Sequence, residues 1–345
     1  MAEAIKPIQI ALVGAGLYAQ NAHLPALLAL REHFEIVAVY SRTRAAATSL
    51  ARRIGDHVAI YTELPPLLAR PEIEAVDIML PIPIQADFVA AALQAGKHVI
   101  SEKPIAPDSD AARRLLAQHE RQPGNVWMVA ENWRYEEAFE RAAQFIADGV
   151  IGRPVIAQWS RFAALKPGNP YYGTEWRRSG FAGGLLLDGI VHLVAALRLV
   201  LGEIDSVVSR VDLVAPDLPP ADTLAAVLSF AGGVTASLLV SYAVETPWGT
   251  PLTIVGAQGS LRVDRGLVEI ARHGAQVERI ECGKLHGVQR ELAAFAAAIR
   301  HGSAHRNTPR RPARPRSDRG YAGRRAPAWT EGEFVGRLTT YIGDW

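Results

Sequence analysis

The sequence predicts an α/β protein in two parts: a doubly wound parallel sheet, then an α+β domain with an open, mainly antiparallel sheet. Three observations predict it. From Ile8 to Ala130, β-like and helical segments alternate, the order that builds a parallel sheet with helices on both faces. Gly14 and Gly16 follow directly on the first apolar run, where the tight turn of a βαβ unit belongs. After Asn132 the alternation gives way to β-like segments in succession, as antiparallel sheets do.

Taken in order, the run from Ile8 to Val13 is short, apolar and rich in β-formers, which predicts a buried strand. A helix is expected to start near Pro25, because proline fits a first turn and not a helix interior. Strands are predicted at Phe34–Tyr40, Val58–Tyr61, Val76–Leu80, His98–Ser101 and Val126–Ala130. Helices are predicted at Arg44–Ile54, Leu64–Ala69, Gln85–Ala95 and Ser109–Arg121, with Gly96 as a stop. Beyond a helix at Glu136–Asp148, strands are expected from Val155 to Ile280, with Gly232-Gly233 as a hairpin turn. Two helices complete this part, Gly189–Leu201 and Val288–Arg300. The division expected is a nucleotide-binding domain over residues 1–131, a substrate-binding domain over 132–305, and a disordered arginine- and proline-rich tail over 306–345.

A chain of 345 residues, 49% hydrophobic and 21% charged, suits two globular cores. Its one cysteine, Cys282, allows no intrachain disulfide and no thiolate zinc site. This fits a reducing, cytoplasmic setting. Met1 to Pro7 is mixed and polar, unlike a secretory leader. No uninterrupted run of about 18 apolar residues is found, so no membrane span is expected. The net charge of +2 is uneven: from Arg306 onward nine arginines face four acidic residues, so the tail is +5 and the rest −3. An acidic body argues against a nucleic-acid partner.

The turn Gly14-x-Gly16-x-x-Ala19 points to a dinucleotide. The first glycine permits the sharp turn, and the second lets backbone approach a pyrophosphate at the start of a helix. Leu17 and Tyr18 lie within this cofactor-binding turn. The surrounding βαβ pattern makes the first domain Rossmann-type. At the end of the second strand stand Ser41 and Arg42, with Arg44 nearby and no carboxylate among them. Arginine there pairs with a 2′-phosphate, which favours NADP(H) over NAD(H). Solvated surface charge is the alternative role for Arg42 and Arg44.

Two further constellations carry chemistry. Glu102-Lys103-Pro104 follows a strand, at the edge where ligands of such sheets sit. A lysine there can donate to a substrate oxygen or shuttle a proton. Asp188 and His192 are four residues apart in an otherwise apolar segment, so a helix sets them on one face. His192 suits acid–base work; Asp188 can orient it or bind a substrate hydroxyl. A pair that only stabilises the helix is the alternative. No third ligand at suitable spacing supports a metal.

The combination of Gly14-x-Gly16-x-x-Ala19, His23-Leu24-Pro25, Glu102-Lys103-Pro104 and Gly183-Gly184-x-x-x-Asp188-x-x-x-His192 resembles the Gfo/Idh/MocA oxidoreductases. The order and spacing match over roughly residues 8 to 300. The resemblance implies Lys103, Asp188 and His192 as the catalytic group. It further implies cofactor contacts from Pro81, Ile82, Pro83, Gln85, Glu102, Glu131 and Asn132, and a substrate or cofactor contact from Arg177 beside Trp176. It implies hydride transfer to or from a sugar, polyol or inositol-like molecule, and a homo-oligomer, dimer or tetramer, built on the second domain's sheet. A dihydrodiol or tetrapyrrole reductase and a non-catalytic NAD(P)-sensing regulator are the alternatives on the same fold. One departure is plain: after Asn307-Thr308-Pro309 the family's acidic and apolar helix is replaced by RRPARPRSDRGYAGRR, as a shifted reading frame or an acquired tail would do.

Overall fold

A computed structural model describes residues 6–309 except 123, 179, 180, 182, 284 and 285. The chain divides into two units, one built on Met1–Tyr135 with Leu285–Arg310 and the other on Glu136–Lys284.

In the first unit, β1 (Ile8–Val13), β2 (Phe34–Tyr40), β3 (Ala59–Tyr61), β4 (Ala75–Ile78), β5 (His98–Glu102) and β6 (Trp127–Ala130) alternate with helices. These are α1 (Leu24–Ala29), α2 (Arg44–Ala51), α3 (Leu64–Leu68), α4 (Ile82–Gln94) and α5 (Ser109–Glu120). The six strands are parallel, in the order β3-β2-β1-β4-β5-β6. The order reverses between β1 and β4, and a crevice opens at such a switch point. β1 and β4 are buried almost throughout, as strands covered on both faces are.

Two helices of this unit start earlier than the sequence predicts. The helix expected near Pro25 is already helical at Leu17 and Tyr18, passes through a π-helical stretch, Ala19–His23, and runs on as α1. Pro25 has no N–H to give Asn21 and its ring crowds that carbonyl; a wider turn relieves both. α4 begins at Ile82 with Pro81 as its N-cap and Pro83 in its first turn, where the missing N–H costs nothing.

The second unit opens with α6 (Glu137–Ala147), then β7 (Pro154–Phe162), α7 (Glu175–Arg178) and α8 (Gly184–Leu201). It continues with β8 (Ile204–Asp212), β9 (Thr223–Phe230), β10 (Thr235–Ser241), β11 (Leu252–Gly256), β12 (Gly259–Asp264), β13 (Leu267–Arg272) and β14 (Glu278–Glu281). Its eight-stranded sheet has the order β14-β13-β12-β11-β7-β10-β9-β8. Every pairing is antiparallel except β7 with β10. Along β9 buried and exposed residues alternate, so one sheet face is covered and the other open. α8 is long and apolar enough, by length and composition, to cross a membrane, although polar residues interrupt its apolar run. It is 72% buried within the unit, as a core helix is.

The chain then returns to the first unit. α9 (Gly287–His301) buries Leu292 and Phe295 in the core that holds Ile10, Leu27 and Phe34. Phe295 stacks on Phe34 with ring centroids 6.4 Å apart. The expected second domain, ending at residue 305, therefore loses its last helix to the nucleotide-binding unit. Arg306 and Asn307, expected in a disordered tail, are tied in as well. Val129 N–H donates to the Asn307 carbonyl at 3.1 Å, and Arg306 N–H donates to Tyr135 Oη at 3.1 Å. The rest of that tail, from residue 310, lies outside the described residues.

Candidate cofactor and catalytic site

The expected cofactor residues of the first unit all lie at the carboxyl ends of parallel strands. Gly14 to Tyr18 follow β1, Ser41 and Arg42 follow β2, and Pro81, Ile82 and Gln85 follow β4. Glu102 closes β5, and Asn132 stands two residues beyond β6. Gly14 has φ +119°, and a Cβ there would lie 2.3 Å from the Met79 carbonyl oxygen. Only glycine lets β1 turn so close to the end of β4. A Cβ on Gly16 would have nothing within 4 Å. Open space beside Gly16, together with the unshared N–H groups of the helix's first turn, fits the pyrophosphate of a dinucleotide.

Arg42 and Arg44 are exposed at the end of β2. Tyr40 has its phenol raised above the usual range by burial and by the Glu63 carboxylate, with Arg42 opposing. Glu63 follows β3, so a carboxylate does stand in this neighbourhood, brought there by the adjacent strand. Ile82 is 2% exposed, which leaves its backbone as the part able to meet a ligand.

Lys103 sits on a turn held at both ends. Gln85, fully buried, donates its amide to the carbonyl of Glu102 at 2.5 Å and to that of Pro104 at 3.0 Å. The Glu102 side chain is held from below: Oε1 lies 3.0 Å from His23 Nε2, and His23 Nδ1 lies 2.7 Å from Asp77 Oδ2. His23 and Asp77 are fully buried. Burial works against a charged imidazole, but the two carboxylates outweigh it and hold His23 well above the ordinary histidine range. The sequence motifs do not include Asp77, although an aspartate inside an apolar strand run is itself a signal, since a buried carboxylate demands a partner. Asn132 is buried, and its Oδ1 has no hydrogen-bond partner among the described residues.

In the second unit, α8 buries every face but one. Asp188, Gly189 and His192 form a half-buried stripe between fully buried neighbours, as the four-residue spacing predicts. Asp188 accepts a hydrogen bond from Arg177 Nε at 2.8 Å, and Arg177 also donates to Thr174 Oγ1 at 2.9 Å. The Arg177 guanidinium lies over Trp176, 4.1 Å from the ring centre, and 5.0 Å from that of Tyr171. An arginine so stacked and paired is fixed in place. Against Gly189 packs Tyr242, whose phenol is pushed up to about 12 by burial and by Asp188, with Arg161 opposing. Lys103 thus belongs to the first unit, and Arg177, Asp188 and His192 to the second.

Comparison with known proteins agrees with this architecture. Residues 8–130 match the family model described as an oxidoreductase family with an NAD-binding Rossmann fold, and residues 139–262 match the GFO/IDH/MocA C-terminal domain. A dehydrogenase of Fusarium mangiferae, FPY6, is 34% identical over 86% of this chain and 89% of its own. The dTDP-3,4-didehydro-2,6-dideoxy-alpha-D-glucose 3-reductase of Saccharopolyspora spinosa is 28% identical over 86% and 89%. Among solved structures, an oxidoreductase of Thermotoga maritima superposes with a TM-score of 0.83 at 31% identity, covering 88% of this chain and 92% of that one. KijD10, a 3-ketoreductase of Actinomadura kijaniata in complex with NADP and TDP-benzene, gives 0.76 at 26% identity, over 88% and 93%.

Proposed function

The chain belongs to the Gfo/Idh/MocA oxidoreductases, NAD(P)-binding enzymes that act on CH–OH or carbonyl groups, and we propose that it transfers a hydride between NADP(H) and a secondary alcohol or ketone of a sugar, polyol or inositol-like molecule. The observation that carries this reading is the Lys103 turn, built at the end of β5 on the same edge of the parallel sheet as the Gly14–Gly16 turn at the end of β1, and pinned by Gln85. Bound nicotinamide supplies or accepts the hydride. Lys103 donates a hydrogen bond to the substrate oxygen and polarises it. His192 takes the hydroxyl proton in oxidation and returns it in reduction. Asp188, locked by Arg177, accepts from a neighbouring substrate hydroxyl.

The keto-sugar reductase among the relatives supports a sugar-like substrate. Exposed Arg42 at the end of β2 supports NADP(H). Arg42→Ala is expected to weaken NADP binding about tenfold, roughly one charge-assisted pairing, and to leave NAD binding unchanged in a fluorescence titration. Unchanged binding of NADP would return the arginine to the solvated surface, and equal loss for both cofactors would remove the 2′-phosphate role. The open face of the eight-stranded sheet, with Ile156, Val208, Val227, Leu239 and Val255 exposed, supports self-association into a dimer or tetramer. Nicotinamide absorbance with NAD and NADP against a panel of polyols, aldoses and their keto forms tests the activity; no turnover with any member, under either cofactor, would refute it.

A further inference from the structure

His23 has no part in the chemistry above, yet it is among the most completely enclosed polar side chains described. We propose that His23 is a positioning residue for the reaction: it anchors the carboxylate of Glu102, and so ties the helix that follows the Gly14–Gly16 turn to the turn that presents Lys103. The proposal rests on the role given to Lys103.

Geometry makes the case first. Nδ1 of His23 is 2.7 Å from Asp77 Oδ2 and Nε2 is 3.0 Å from Glu102 Oε1. A neutral imidazole has one N–H and one lone pair. With two ionised carboxylates, one contact would then set a lone pair against an anionic oxygen. Both contacts are hydrogen bonds when the ring carries both protons. A charge-assisted bond of this kind is short and directional, so it fixes the Glu102 side chain as Gln85 fixes the backbone on either side of Lys103.

The surroundings agree. The groups that act on the ring are Asp77 from β4, Glu102 from β5, Glu291 from α9 and the ring of Tyr18, 5.3 Å away between centroids, while Glu131 beyond β6 bears on Glu291. Glu291 is itself raised well above the carboxylate range by burial, which disfavours a charge on it. His23 is therefore the positive group that the Asp77 and Glu102 charges share. Because it lies in the π-helical turn that opens the helix, a shift of the cofactor turn moves the anchor of Glu102.

The test uses the full chain without substrate. Nitrogen-15 spectra of the histidine rings, assigned by the signal lost in His23→Gln, should show both His23 nitrogens protonated at pH ~7.5, a pH where an ordinary histidine is mostly neutral. Trinitrobenzenesulfonate labelling, read by mass spectrometry as the ratio of Lys103 to exposed Lys6, reports how Lys103 is presented. In His23→Gln this ratio should change about tenfold, the scale of one charge-assisted contact, read well below the variant's melting temperature. The wild-type ratio should step at the pH where His23 loses its proton, and the variant should show no step. Asp77→Asn serves if His23→Gln does not fold: His23 should then turn neutral at pH ~7.5 and the ratio should shift. A neutral His23 in the wild type, or a ratio that neither substitution moves, overturns the proposal. Turnover surviving in Lys103→Met would instead remove the role of Lys103 and leave the grip of His23 on it as measured.

Discussion

Glu291 is a fully buried carboxyl whose charge the fold disfavours. Burial raises its carboxyl well above the usual range; His23 opposes this, and Glu102, Glu131 and Asp77 add to it. A raised folded-state value stabilises the fold below the unfolded value, and that contribution is lost as pH climbs through the folded one. Glu291→Gln keeps the shape and removes the titration. It should match the wild type near pH 4 and be the more stable of the two at pH 8; melting curves at both pH values check this. Gly14 and Gly16 separate fold from binding in the same way. Gly14→Ala sets a Cβ 2.3 Å from the Met79 carbonyl at a φ of +119° and should cost about 1–3 kcal/mol. Gly16→Ala fills open space, so the melting temperature should hold while titration shows weaker cofactor binding.

Elements show which physics the sequence displays. The alternation from β1 to β6 was legible because it repeats, and the order of strand ends followed from it. What stayed hidden were contacts between distant segments. The predicted helix began at Gly189. The helix begins instead at Gly184, and Gly189 is glycine because Tyr242 Oη occupies the place of its Cβ, 1.6 Å away. The partner of Asp77 stayed hidden for the same reason: it is 54 residues back in the chain. Asp188 and His192 were readable because their relation is local, four positions along one helix. The glycine account is tested by a double substitution. Gly189→Ala alone should lower stability by about 1–3 kcal/mol, as overpacking does. With Tyr242→Ala present it should instead raise stability by up to about 1 kcal/mol, the helix propensity gained. Additive effects in denaturant unfolding would defeat the packing account.

On the scale of the whole molecule, the nucleotide-binding unit is closed by a helix from the far end of the chain. α9 supplies Val288, Leu292, Phe295 and Ala296 to its core, and Arg300 binds Glu74 at 2.7 Å and the Lys6 carbonyl at 3.0 Å. A fragment ending at residue 135 should therefore fail to fold alone, and Phe295→Ala in the full chain should cost about 3–5 kcal/mol, read by circular dichroism and melting. The proposed reaction moves a hydride to or from a sugar-like hydroxyl or ketone with Lys103 as the hydrogen-bond donor. Its most direct test is the initial rate of nicotinamide oxidation or reduction by the wild type and Lys103→Met across the polyol, aldose and keto-sugar panel. NADP-dependent turnover of at least one member, reduced about 100- to 10,000-fold in the variant, is the predicted result; turnover that the variant retains in full would contradict it.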